Sequence, residues 1–326
     1  MSSVATTLDL ESAERARRRI LDVWVERIIY LSSIVALSLI ILIFIFVARE
    51  ALPVLTSAEV HKEVTLRTMF LPQNYGTADA PLPYVWQPVS EVPKYSLLPL
   101  FLGSLKVTIV AMLFATPLAV LAAIFTTEFA PRWLREIIKP VIEMLAGIPS
   151  VVLGFFALIV LATWLQDTFG FDFRLNAINA GLALGLAVIP IVYTICEDAL
   201  TAVPKSYRQA SLALGASRWQ TAWKVVLPSA IPGVFAGIVL GFGRAVGETM
   251  IVLMASGNAA ITSWIFSESV RTISASIAAE LGEVVFGSAH YHVLFFLCTL
   301  LFLFTFVLNW LGTAMVGRLR RRLAGA

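Results

Sequence analysis

Charge is scarce in this chain. Of its 326 residues only 14% are Asp, Glu, Lys or Arg, against about 25% in soluble domains. With 59% hydrophobic residues and a mean hydropathy of +0.85, that shortage excludes a disordered chain and an ordinary two-domain soluble enzyme. Cysteine is nearly absent: Cys196 and Cys298 both lie in apolar runs, which excludes a disulfide framework and a CxxC metal site. No GxxxxGK[ST] occurs, so the chain has no P-loop for ATP. His290 and His292 flank Tyr291 without further metal ligands nearby, and no Ser-His triad can be assembled. Internal repeats and low-complexity tracts are also missing. What remains is a polytopic membrane protein.

A membrane helix needs about 20 apolar residues. Charge-free runs of that size lie between Arg27 and Arg49, Lys106 and Glu128, Glu143 and Asp167, Arg174 and Glu197, and His292 and Arg318. The stretch from Lys224 to Glu268 is longer and is interrupted only by Arg244 and Glu248. It forms one helix carrying both charges, giving six spans, or two helices turning at Arg-Ala-Val-Gly-Glu, giving seven. The positive-inside rule decides. Six spans with the N-terminus inside put 16 of the 24 Lys and Arg residues in cytoplasmic segments: Arg15, Arg17–Arg19, Arg27, the 132–139 and 205–224 stretches, and the 318–322 tail. Seven fall in outer segments and Arg244 stays in the membrane. Seven spans would put the arginine tail outside.

The domain organisation follows: a cytoplasmic segment 1–27, a first span 28–48, an outer loop 49–103, a core 104–317 of five spans with a cytoplasmic hairpin 197–228, and a basic tail 318–326. The first span lacks a small-x-small cleavage site and is expected to stay as an anchor. Arg15–Arg19 with Glu11 and Glu14 read as an amphipathic juxtamembrane helix. The outer loop contains Pro72, Pro81, Pro83, Pro88, Pro93 and Pro99, with Trp86, Tyr84 and Tyr95 suited to an interface. It reads as an ordered cap or short loop. Glu143 reads as a carboxylate at the start of span 3, and His290 and His292 as interfacial anchors. Arg271, Glu280 and Glu283 read as solvated or as contacts to an outer partner.

Residues 197–228 read EDALTAVPKSYRQASLALGASRWQTAWKVVLP. A helix is predicted from Lys205 to Leu214, with Pro204 near its start and Gly215 at its stop. Ser217 and Gln220 form a capping box for a second helix, Arg218 to Leu227, which Pro228 ends. The apolar residues Ala210, Leu212, Leu214, Trp219 and Trp223 exceed what a solvated loop needs. They suit either a hairpin packed on its own membrane domain or an element docking in a partner's groove. The pattern Gln209-Ala210-Ser211, Gly215, Val225-Val226-Leu227-Pro228 resembles the EAA loop of ABC importer permeases. That resemblance implies docking into an ATPase subunit through Gln209, Ala210, Ser211, Gly215, Leu227 and Pro228. Two departures stand out: Gln209 replaces the usual Glu and Ser211 the second Ala. Glutamine hydrogen-bonds but forms no ion pair.

In Ile231–Ser256, Gly233, Gly237 and Gly241 recur every four residues. At 100° per residue they share a stripe with Arg244 and Glu248. Glycines admit a close backbone, and a charge in the membrane costs about 2.5–3.5 kcal/mol on insertion scales. The pair is thus expected to face protein or a water-filled path. It is either a structural i,i+4 ion pair or an anion gate. Arg offers a planar fork matched to tetrahedral oxyanions, Glu248 neutralises it when no anion is present, and the small-residue lining favours the gate.

The run Gly243-Arg244-Ala245-Val246-Gly247-Glu248-Thr249-Met250 resembles the PstC-type permeases of phosphate ABC importers. So do Gly103-Ser104-Leu105, Thr127-Glu128-Phe129-Ala130-Pro131 and the stretch from Ile142 to Val152. The resemblance covers about Trp86 to the C-terminus. It implies an all-α, MetI-like permease core in a bacterial inner membrane, with both termini cytoplasmic. It implies a substrate path through Arg244, Glu248 and Thr249. The implied partners are a PstA-like permease, two PstB-like ATPases, a PstS-like binding protein and inorganic phosphate. No nucleic acid partner is expected. No cofactor belongs to this chain, ATP and Mg lying in the ATPase, and the chain performs no covalent chemistry. Sulfate and molybdate permeases share Arg-x-x-Gly-Glu, so they are the nearest alternatives. A stand-alone anion transporter or channel, or a membrane sensor scaffold, is more distant.

Overall fold

The structure, a computed structural model, describes the backbone of residues 2–73 and 83–324 and the side chains of 24–73, 83–319 and 321. The side chains of Arg15–Arg19, Arg320 and Arg322, and the whole of Pro81, lie outside the described residues. The chain divides into two compact units, 1–50 and 51–326. In the first, a single helix runs over Ser2–Ala51.

Among the described residues, six helices are long and apolar enough to cross a membrane: Trp24–Thr56, Leu98–Phe129, Ser150–Phe169, Ala177–Thr201, Arg218–Val246 and Ala289–Leu319. They are spans 1 to 6. Six is the number that the charge distribution selects. The core of the second unit is built on small residues. Span 2 presents Ala111, Ala115, Ala119 and Ala123, all fully buried, to span 4. There Gly181 and Gly185 leave room for Val110 and Phe114. The glycine stripe of span 5 also faces span 4: Gly233 lies against Ala199, Gly237 against Ile195 and Cys196, and Gly241 against Val192. A side chain on any of the three would push the helices apart, because membrane helices associate by close packing and not by exclusion of water.

The structure differs from the sequence expectation at four boundaries. Span 2 begins at Leu98, so Lys106 lies two turns inside it and is 2% exposed. Span 3 begins at Ser150. The preceding helix is separate, Arg132–Ala146, and ends at the Gly147–Pro149 break. Glu143 thus sits near that helix's end, not at the start of span 3. Pro228 does not end the second hairpin helix. A wide π turn at 222–226, closed by Leu227 N–H on the Ala222 carbonyl, absorbs the proline, which has no N–H to give. The helix runs on as span 5. Finally, span 5 stops at Val246, with Gly247 as its C-cap. Glu248 therefore lies just past the helix, not within it.

Residues 51–73 and 83–97 form an ordered cap. Short helices Pro53–Thr56, Val60–Glu63 and Leu66–Phe70 lead to a two-stranded antiparallel ribbon, Trp86–Gln87 with Lys94–Tyr95. Val54, Met69, Trp86 and Tyr95 pack with Ile273, Leu294 and Leu297. Beneath the ribbon lies a polar cluster. Glu280 pairs with Arg271, accepts from Trp86 Nε1 at 3.0 Å and lies 3.1 Å from His290 Nε2. Arg271, Glu280 and His290 are thus neither solvated nor mere interfacial anchors. Burial and the carboxylates of Glu63 and Glu280 push the Tyr95 phenol up to about 12. Burial alone would raise Glu280, but His290, Trp86 and Arg271 outweigh it and hold the carboxyl below its ordinary 4.5.

A depressed carboxyl stabilises the folded state above its unfolded pKa, and that contribution vanishes as pH falls through the folded value. Glu280→Gln is therefore expected to destabilise the protein at pH 7 by about 1–3 kcal/mol. Thermal unfolding in detergent should show the difference from wild type shrinking between pH 5 and 3.

Candidate functional site

The hairpin forms as its caps dictate. The helix Lys205–Ala213, here called the knob helix, follows Pro204. Gly215 sits at φ +81° with open space around its Cα. Its backbone conformation, not crowding, requires glycine there. Ser217 then accepts from Gln220 N, and the Gln220 side chain accepts from Ser217 N, completing the capping box. From Arg218 the helix continues for 29 residues to Val246, a rod of about 43 Å at 1.5 Å per residue.

Gln209 and Ala210 are exposed, and the Gln209 side chain has no partner among the described residues. Ser211 Oγ lies 2.9 Å from Thr221 Oγ1, so the departure from alanine ties the two hairpin arms together. Ala210, Ser211 and Gly215 share a shallow groove with Tyr207, Leu214 and Gln220. Leu214 is 90% exposed and Trp219 60%. Leu227 and Pro228 are not in this groove. Leu227 packs on the core, and Pro228 lines a neighbouring concavity with Tyr207 and Lys224.

The opposite end of the rod carries Arg244. Its Nη1 lies 3.2 Å from Glu248 Oε2, and the two side chains differ sharply in exposure, 49% against 4%. Arg244 has no other hydrogen-bond or ion-pair partner among the described residues, and about half of its side chain is exposed. Glu248 is fixed from behind: Ser274 Oγ donates to its carbonyl at 2.7 Å. Half-buried Thr249 follows, and its carbonyl accepts from Leu253 N in the helix Met250–Ala255. That helix is held by Asn179 Nδ2 on the Ala255 carbonyl at 2.9 Å. Gly154 of span 3 approaches its backbone. The structure thus brings Arg244, Glu248 and Thr249 together at a helix break. The hairpin residues sit at the rod's other end.

Three charged sites escaped the sequence reading. Lys106 Nζ donates to the Ile265 carbonyl at 2.7 Å and lies 5.8 Å from the Phe266 ring. The apolar run Leu97–Leu105, together with Pro99 as a helix start, is the signal that would have extended span 2 past it. At the hairpin end, Lys139 Nζ meets Glu197 at 2.8 Å. That hydrogen bond raises the lysine above its ordinary pKa against the opposing effect of burial. Arg208 meets Glu128 at 2.7 Å. These contacts join residues 58 and 80 positions apart.

Comparison with known proteins agrees with this architecture. Residues 115–324 match the family described as "Binding-protein-dependent transport system inner membrane component". The chain is 37% identical over 232 residues to the probable ABC transporter permease protein YqgH of Bacillus subtilis, covering 70% of this chain and 75% of that one. It is 34% identical over 257 residues to the phosphate transport system permease protein PstC of Pasteurella multocida, covering 73% and 79%. Among solved structures, a chain of the bacterial alginate ABC transporter superposes with a TM-score of 0.54, at 16% identity, over 90% of this chain and 95% of that one. An inward-facing MetNI methionine ABC transporter chain gives 0.52 at 18% identity, over 68% and 94%. At those identities the structures speak to the fold alone. The chain is an all-α, MetI-like permease and belongs to the family of binding-protein-dependent transport system inner membrane components.

Proposed function

We propose that this chain is the permease subunit of an ATP-driven importer of inorganic phosphate, with Arg244, Glu248 and Thr249 on the substrate path. The observation that carries the reading is the asymmetry of the ion pair: Glu248 is buried while Arg244 is half-exposed at a helix break. Here the carboxylate neutralises the arginine while leaving its fork free to take an oxyanion. The similarity to PstC proteins over most of the chain supports phosphate; sulfate or molybdate is the alternative to test.

The knob helix, with exposed Gln209, Ala210 and Leu214 beside Gly215, is read as the ATPase docking element on the cytoplasmic side. Both termini lie on that side in this reading. A PstA-like second permease completes the path, two PstB-like ATPases supply ATP and Mg, and a PstS-like protein delivers substrate. The chain itself carries out no covalent step. Closure of the ATPases moves the knob, and the packed spans carry that movement to Arg244 at the far end of the rod Arg218–Val246.

Arg244→Gln should lower phosphate uptake by the assembled transporter about 10- to 100-fold, the scale of one charge-assisted contact. Subunit assembly should be unchanged. Normal uptake would sink the site. Unlabelled sulfate or molybdate should fail to compete with labelled phosphate; effective competition would reassign the substrate. Leu214→Asp should weaken co-purification of the ATPase about tenfold or more, as loss of an exposed apolar anchor does. Unchanged co-purification would remove the knob from the docking surface.

A further inference from the structure

Arg208 adjoins Gln209 on the knob helix, yet its side chain turns inward and is only 21% exposed. Each of its three guanidinium nitrogens is engaged. Nε reaches both Glu128 oxygens at 3.1 and 3.2 Å, and Nη2 reaches Glu128 Oε1 at 2.7 Å. Nη2 also donates to the Leu200 carbonyl at 2.8 Å, and Nη1 to the Val203 carbonyl at 2.6 Å. Glu128 closes span 2 in a wide π turn, where Ala130 N bonds the Phe125 carbonyl. Leu200 closes span 4. One side chain therefore ties the knob helix to the ends of two spans, and those spans are packed on each other through Gly181 and Gly185.

The knob has other links. Along the chain it joins span 4 through residues 202–204 and the rod through Gly215, which takes a positive φ. Across space its side-chain hydrogen bond to the rod, among the described residues, is Ser211–Thr221. No other ion pair leaves the knob helix among the described residues. A planar fork on a carboxylate is directional and resists displacement along several axes at once. A lysine at the same place would keep the charge and lose that directionality.

We propose that the Arg208–Glu128 pair is the strut through which displacement of the knob helix moves spans 2 and 4 as one body. Arg208 is thus a positioning residue for transport coupling and not part of the docking face. The proposal rests on the reading of the knob as the ATPase docking element. A first measurement therefore tests that reading alone: a thiol at position 214 (Leu214→Cys) should crosslink to the ATPase in the wild-type complex. No crosslink would overturn the docking reading and the strut with it.

The strut is tested in proteoliposomes holding the full transporter, by phosphate uptake per ATP hydrolysed. Arg208→Lys and Glu128→Gln should each leave the ATPase bound and reduce uptake per ATP several-fold. Unchanged uptake per ATP would overturn the proposal, and so would loss of ATPase binding in both variants. A double variant, Arg208→Cys with Glu128→Cys, in a background with Cys196→Ala and Cys298→Ser, guards against a purely folding defect. Its uptake per ATP should be low when reduced and recover several-fold after bridging with a short bifunctional thiol reagent. A contact needed only for folding predicts no such recovery, and its absence overturns the strut.

Discussion

A charge buried in a low-dielectric interior must be answered locally, and this constraint shapes the second unit of the chain. Several charged side chains among the described residues have found a partner. Arg208 takes Glu128, Lys139 takes Glu197, Arg271 takes Glu280, and Lys106 takes the Ile265 carbonyl. Two of these contacts, Arg208–Glu128 and Lys139–Glu197, tie other helices to the ends of spans 2 and 4. The Arg244–Glu248 pair is different, because it satisfies the carboxylate and leaves the arginine half open. Under the proposed function, that half-open cation is where an anion would be received.

Packing turns that local chemistry into a mechanical arrangement. The glycine stripe of span 5 presses it on span 4, and span 4 is pressed on span 2 by Gly181 and Gly185. The rod Arg218–Val246 spans from the capping box at Ser217 to the helix break at Gly247. Interfaces packed this closely move as units and do not deform continuously. In the proposed mechanism a small displacement at the hairpin end reaches the arginine through these packed helices.

Much of this was legible in the sequence because it is local. Charge-free runs and the placement of basic residues gave six spans. Ser217 and Gln220, three residues apart, gave the capping box, and Gly233-Gly237-Gly241 gave a contact face. What stayed hidden was of two kinds. The first is backbone accommodation: a proline normally ends a helix, and nothing in Leu227-Pro228 reveals that a π turn upstream will carry the helix through. The same limit placed Glu248 on a helix that in fact stops at Val246. The second is long-range pairing. Arg208 and Glu128 are 80 residues apart, and Glu280 and Trp86 194 apart. Periodicity reports which face a residue occupies, not which distant group meets it there. Lys106 combines both, since a charge taken as the edge of a span proved to lie within it.

The central claim is that an oxyanion occupies the space beside Arg244. Its most direct test places a cysteine at Thr249, next to the pair, in a background with Cys196→Ala and Cys298→Ser. The rate of modification by a small thiol reagent is then followed in the assembled transporter during ATP turnover. Phosphate is expected to slow the reaction in proportion to its occupancy, and to lose that protection when Arg244 is also changed to Gln. A modification rate indifferent to phosphate, or protection that survives without Arg244, would contradict the account.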